Sequence, residues 1–212
     1  MGNQAPRVKE FIERFVTLGG SWYNEPFKVL PFQEEILEAI YVTDDEGRRI
    51  KRTALIGMPR KNAKSTLVAA LALYHLVADT ADKAPVVIAA ANDRAQARLV
   101  HDEVKRMCLA SPELSAAVEI FRNEIRSPRN GGVFRVVSAE AGLQQGLNPS
   151  FVCVDEMHEA KTSDLFDALT LGSAARSQPL TVVITTAGWN LESPLGRLYR
   201  YGRKVQSGEI DD

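Results

Sequence analysis

The residues best suited to chemistry begin with Met58-Pro59-Arg60-Lys61-Asn62-Ala63-Lys64-Ser65-Thr66, a polar run between two apolar ones. A phosphate-binding loop reads G-x-x-x-x-G-K-[ST]: backbone N–H groups cradle the phosphates, the lysine adds a point charge and the hydroxyl serves magnesium. Lys64 and Ser65 fit, whereas Met58 and Ala63 stand where the two glycines belong. Alanine is the smallest replacement for glycine but is worse wherever φ must be positive. The plain alternative is a basic loop that caps a helix by accident. Three cations, Arg60, Lys61 and Lys64, at the positive end of a helix dipole are unfavourable unless an anion offsets them, so a phosphate ligand is the better reading. The expected nucleotide contacts are Arg60, Lys61, Asn62, Ala63, Lys64, Ser65 and Thr66.

Well downstream, Phe151-Val152-Cys153-Val154 ends in two carboxylates, Asp155 and Glu156. At the end of a buried strand, the first acid can hold magnesium together with Ser65. The second, Glu156, can deprotonate a water that attacks the γ-phosphate. Two acids capping a helix is the alternative, but each motif supplies what the other needs. His158 and Glu159 follow without a second histidine four residues on, so a zinc-protease pattern fails. His158 reads as a helix-surface or packing residue, with sensing of the site as the alternative.

These motifs need strands and helices to place them. Apolar spacing predicts helices over Arg7–Leu18, from Pro31, over Lys64–Ala78, from Asn92 (read as a cap), from Ser111-Pro112, over Ser163–Ala175 and from Ser193-Pro194. Apolar runs predict strands at Thr53–Met58, Pro85–Ala91, Phe151–Asp155 and Leu180–Thr185. Arg129–Gly132 is turn chemistry, so Asn123–Ser127 and Val133–Ser138 are read as a hairpin. Apolar strands alternating with helices imply an α/β fold, with a mainly parallel sheet covered on both faces.

Composition bounds the rest. The 212 residues carry 26 Lys+Arg against 27 Asp+Glu, which argues against a simple basic nucleic-acid coat. The balance hides clusters: seven basic residues from Arg48 to Lys64, and four arginines from Arg122 to Arg135. The apolar stretch Leu67–Ala78 is too short to cross a bilayer, and MGNQAPRVKE lacks the layout of a secretory signal. Cys108 and Cys153 match no metal or redox spacing and are read as reduced core residues. An intracellular soluble protein with no membrane partner is expected.

With these motifs in place, the whole chain resembles the ATPase (motor) domain of a tailed-phage large terminase. The resemblance rests on a deviant phosphate loop with an early basic residue, Arg60, and on the pair Asp155-Glu156 in VCVDEMHEA. It rests also on a threonine-rich coupling motif, Thr185-Thr186-Ala187-Gly188, and on the upstream motif Leu30-Pro31-Phe32-Gln33. It implies a P-loop NTPase of the additional-strand type and ATP with Mg2+ as cofactors. It assigns Gln33 to the adenine edge, with Phe32 or Trp22 as ring contacts although both read more often as core residues, and Thr185 and Thr186 to coupling. Arg60 and Glu156 are the implied catalytic residues, and Ser65 and Asp155 the metal ligands. The implied partners are double-stranded DNA, a portal protein, a small terminase subunit and further copies in a ring. The implied location is the host cytoplasm, transiently docked on the procapsid portal. Residues 1–50 are expected to form an N-terminal helical region and 51–212 the P-loop core. The family's C-terminal nuclease domain is expected to be absent, the chain reading as a domain cut from a longer polypeptide. One departure stands out: many terminases have an arginine where Gln144-Gln145-Gly146 reads Gln145, which leaves the arginine finger open.

Two alternatives remain at this level. A helicase-like ATPase shares Gln33, Lys64 and Asp155-Glu156 but needs a second half for which this chain has no room. A DNA-binding scaffold without turnover draws on the missing glycines, against the intact Lys64, Ser65 and Glu156.

Overall fold

Along Phe151–Asp155 the side chains alternate between two cores. Phe151 and Cys153 pack into one buried cluster, Val152 and Val154 into another. The same alternation separates Val182 and Ile184 from Val183, and Val87 and Ala89 from Ile88 and Ala90. Successive side chains of a strand point to opposite faces, so a strand apolar at every position demands cover on both sides.

The structure, a computed structural model, describes residues 1–59, 61–139, 147–186 and 190–211. Its strands are β1 (Gly2–Asn3), β2 (Val42–Thr43), β3 (Thr53–Gly57), β4 (Val86–Ala91), β5 (Glu119–Ile120), β6 (Glu124–Ser127), β7 (Gly132–Ser138), β8 (Phe151–Asp155) and β9 (Leu180–Thr185). Its helices are α1 (Ala5–Phe15), α2 (Pro31–Ile40), α3 (Lys64–Val77), α4 (Arg94–Ala110), α5 (Pro112–Ala117), α6 (Asp164–Gly172) and α7 (Pro194–Gln206). The main sheet runs β3-β9-β8-β4-β7-β6-β5. Its first five strands are parallel, and β6 and β5 extend it antiparallel. Inserted between β3 and β8, β9 is the additional strand of that class of P-loop fold.

Helix α3 lies at the centre. Every residue from Leu67 to Leu76 is buried, because the helix sits between the sheet and the helices α1 and α4. Such a helix is apolar all round rather than striped. Val8, Phe11 and Ile12 of α1 and Leu37 and Ile40 of α2 join the same cluster. Residues before position 50 therefore share a core with those after it. Leu169 of α6 and Leu195 of α7 cover the other face.

Several local expectations needed correction. Asn92 does not cap α4; the Asp93 carboxylate accepts from Gln96 N–H instead. Helix α1 ends three residues early, because Thr17 and Leu18 turn into extended pairing with Pro26 and Glu25. Helix α6 stops at Gly172 and gives way to a 3₁₀ turn, Ser173–Ala175. Ser111 and Ser193 cap as expected, accepting from Leu114 and Gly196 N–H. The hairpin also stands, with Glu124 opposite Arg135 and Gly131 at φ 72° in the turn.

A polar cluster is buried at the C-terminal end of α3. Arg49 and Asp79 pair at 2.8 Å, with the arginine side chain 1% exposed. The His75 ring bridges them to the residue that follows α2: Nδ1 lies 2.8 Å from Asp79 and Nε2 2.9 Å from the Tyr41 hydroxyl. Cys108 and Cys153 are free and buried, and burial pushes the Cys108 thiol up to about 12. No helix among the described residues is long and apolar enough to cross a membrane.

Candidate nucleotide site

Because β3, β9 and β8 are parallel neighbours, their carboxyl ends share one edge, where ligands of such sheets bind. Gly57 pairs in register with Thr185, and Asp155 with Ile184. Beyond the strands the register is held by two further bonds. Met58 N–H donates to the Thr185 carbonyl at 2.9 Å, and Glu156 N–H to the Ile184 carbonyl at 3.0 Å.

The loop between β3 and α3 takes the backbone path that a glycine would favour. Ala63, where the second glycine of the pattern belongs, has φ 56° and ψ 31°, and Lys61 has φ 68°. Left-handed backbone costs an L-residue roughly 1–2 kcal/mol, so the loop holds its shape against strain. Met58 has no positive φ, so nothing there requires the first glycine. Lys64 is buried, and its Nζ donates to the Met58 carbonyl at 3.4 Å. Asn62 Nδ2 donates to the Pro59 carbonyl at 3.3 Å. Lys61, Ala63, Lys64, Ser65 and Thr66 line a cleft of about 480 Å³ that Asp155 and Glu156 close on the far side. Arg60 lies outside the described residues.

The two acids differ in their surroundings. Ser65 Oγ stands 3.5 Å from Asp155 Oδ2, while Asp155 Oδ1 is buried with no hydrogen-bond partner. Burial and the adjacent Glu156 charge push the Asp155 carboxyl up, against the opposing pull of Lys64 and Ser65. A buried carboxylate oxygen without a donor, beside a serine hydroxyl, suits a hard cation such as Mg2+, which takes few protein ligands and shares the rest with water and phosphate. Glu156 has φ 53° and ψ 44°, a left-handed conformation uncommon outside glycine. Asn92 Nδ2 donates to its carbonyl at 3.2 Å and braces that turn. Glu156 Oε1 lies 3.4 Å from Lys64 Nζ, and Oε2 lies 3.0 Å from His158 Nδ1.

Other expected residues are placed less directly. Thr185 is buried at the end of β9, its hydroxyl donating to the Thr186 carbonyl at 3.0 Å and facing His158. Gln33 is fully buried: Oε1 accepts from Leu30 N–H at 3.0 Å, Nε2 has no partner, and the residue does not line the phosphate-loop cleft. Trp22 and Phe32, read more often as core residues, are both exposed. Gln144, Gln145, Gly146, Ala187 and Gly188 lie outside the described residues. The sequence reading took Asn92 for a helix cap rather than a brace of the acid turn, and took His158 first for a surface or packing residue, with sensing of the site as the alternative. Only the position of His158 beside the acid pair hinted at more.

Comparison with known proteins agrees with this geometry. Over 190 residues the chain is 31% identical to the terminase large subunit of Enterobacteria phage HK97, covering 87% of this chain and 37% of that protein. The crystal structure of the HK97 bacteriophage large terminase matches with a TM-score of 0.83 at 27% identity, over 98% of this chain and 42% of that one. The UvsW helicase of bacteriophage T4 matches with a TM-score of 0.59 at 13% identity, over 93% of this chain and 65% of that one, a likeness of fold alone. The chain thus spans well under half the length of the terminase large subunits it matches. Residues 31–204 match the family described as "Terminase large subunit, ATPase domain", and the chain belongs to that family.

Proposed function

We propose that this chain binds ATP with Mg2+, hydrolyses it, and by doing so drives double-stranded DNA into a procapsid. The observation that supports this most is the meeting of Lys64, Ser65, Asp155 and Glu156 around one cleft at the carboxyl ends of β3 and β8. In this reading the N–H groups at the start of α3 and the Lys64 ammonium hold the β- and γ-phosphates. Arg60 adds charge at the γ-phosphate, and Gln33 meets the adenine edge through its unpartnered Nε2, for which the buried side chain must first be uncovered. Ser65 and Asp155 hold the magnesium ion, which when bound offsets phosphate charge. Glu156 takes a proton from water as the water oxygen bonds to the γ-phosphorus. The bond to the β–γ bridging oxygen breaks, and ADP leaves with the electron pair. Thr185 and Thr186 report the loss of phosphate to the chain beyond them.

The whole motor in this proposal is a ring of copies in the host cytoplasm, docked on a portal protein and delivered to DNA with a small terminase subunit. The first test is Lys64→Ala with nucleotide titration and phosphate release. Loss of most ATP affinity or turnover is expected, because the change deletes the charge facing the phosphates. Ordinary binding and hydrolysis in that variant would mean that the loop is not the nucleotide site.

A further inference from the structure

His158 sits in the 3₁₀ turn Met157–Glu159 that follows the acid pair, its side chain 18% exposed. Its Nδ1 lies 3.0 Å from Thr185 Oγ1 and 3.4 Å from Thr186 Oγ1. The same nitrogen lies 3.0 Å from Glu156 Oε2, a buried oxygen that makes no well-aligned hydrogen bond. Thr185 Oγ1 already donates its proton to the Thr186 carbonyl, so towards His158 it is an acceptor. A bare Nδ1 lone pair would face these two acceptor oxygens at 3.0 Å, with only the more distant Thr186 hydroxyl, at 3.4 Å, able to donate to it. The tautomer that suits the two nearer oxygens carries the proton on Nδ1, directed at Thr185 with Glu156 Oε2 alongside. Beyond the ring, Glu159 Oε1 stands 3.9 Å from Nε2, outside hydrogen-bond reach, while Glu159 Oε2 accepts from Gln96 on α4.

We propose that His158 is a positioning residue for Glu156, itself oriented by Thr185, so that the end of β9 acts on the base through this ring. The inference rests on the assignment of Glu156 as general base given above. With the ring packed 3.0 Å from Oε2, the carboxylate keeps Oε1 for the attacking water once Lys64 has moved to the phosphates. A shift of the Thr185 hydroxyl turns the ring and takes that alignment away. The threonines are thereby linked to the chemical step as well as to the segment after it.

The test measures equilibrium nucleotide binding and single-turnover MgATP hydrolysis with the purified protein. His158→Ala is expected to leave ATP affinity unchanged and to slow hydrolysis roughly 10- to 100-fold, the scale of a misplaced reacting group. His158→Asn, whose amide nitrogen falls where Nδ1 stands, is expected to recover most of that rate. Thr185→Val is expected to slow hydrolysis several-fold alone and to add nothing to His158→Ala. Parental hydrolysis in His158→Ala or in Thr185→Val overturns the proposal. So does a His158→Asn variant no better than alanine, a multiplicative double variant, or loss of ATP affinity in His158→Ala. Glu156→Gln is run in parallel. If it slows turnover strongly while His158→Ala keeps the parental rate, only this inference fails; if it turns over at the parental rate, the assigned base fails first.

Discussion

Lys64 Nζ lies 3.4 Å from Glu156 Oε1, so the cation expected at the phosphates and the carboxylate expected at the water hold each other. Neither can perform its assigned task while they do. In the proposed function an incoming triphosphate competes for the lysine with far more negative charge than one carboxylate carries, and drawing Lys64 away would free the base. Under the proposed function, substrate binding and activation of the water would in this way be one event.

That relationship separates the two acids. Glu156→Gln keeps size and hydrogen bonding but removes the base, so MgATP binding should persist while hydrolysis falls by roughly 10²–10⁴-fold. Asp155→Asn should instead weaken magnesium-dependent binding as well as turnover, because its buried Oδ1 has no hydrogen-bond partner and would be satisfied by the ion. Nucleotide titrations with and without Mg2+, beside phosphate release, distinguish the two. A Glu156→Gln protein at the parental rate would refute the assignment.

The strained loop gives a prediction of opposite sign. At φ 56°, Ala63→Gly should relieve strain of roughly 1 kcal/mol and leave nucleotide binding intact or tighter. Ala63→Val places a branched side chain where even alanine is strained and should reduce binding. Thermal unfolding and nucleotide titration of the two variants check it. A glycine variant that binds ATP markedly worse would show that alanine is required for something other than backbone shape.

Replacing Thr185 and Thr186 together by valine keeps their shape and removes both hydroxyls. ATP binding is expected to persist, while DNA packaging by the full-length protein fails. Packaging assays with that variant decide the matter, and normal packaging would leave both threonines as plain strand residues.

Stability should fall with pH through the buried cluster at the end of α3. Burial holds His75 below its ordinary value in spite of Asp79 beside it, with Arg49 opposing and Asp82 assisting protonation. Burial alone would raise the Asp79 carboxyl, but His75 and Arg49 overcome it and hold it well below the usual carboxylate range. In both cases the folded protein binds fewer protons than the unfolded chain, so acid favours unfolding. Stability should decline as pH drops below roughly 6.5, then further below roughly 4, where unfolded Asp79 protonates. Asp79→Asn should lower stability by about 3 kcal/mol, because it leaves a buried arginine unpaired. Denaturant titrations from pH 7 to 3 test both statements; an unchanged midpoint in Asp79→Asn would mean that the pair adds nothing.

Some of this was legible residue by residue. The strand runs, the caps at Ser111 and Ser193, and the turn at Asn130–Gly132 are local. Apolar spacing, a hydroxyl before a helix and a flexible turn each act within a few residues. That Lys64, Ser65, Asp155 and Glu156 would gather at one edge was also readable, because the loop and the acid pair each follow an apolar strand run. Short elements such as β1, β2 and β5 were not, since two residues carry no period.

What the chain alone determined is therefore which segments are buried and which side chains can bind phosphate or move a proton. The tertiary structure decided which of them meet. Strand order follows from how helices pack across two faces, a non-local matter, and it places Thr185 between the loop at Met58 and the acids at Asp155-Glu156. The positive φ of Ala63 and Glu156 follows from the ends those turns must join. His158 reads as a surface or packing residue, with sensing of the site only an alternative, until β9 lies beside β8. Only then does a threonine 27 residues further along the chain stand 3.0 Å from its ring.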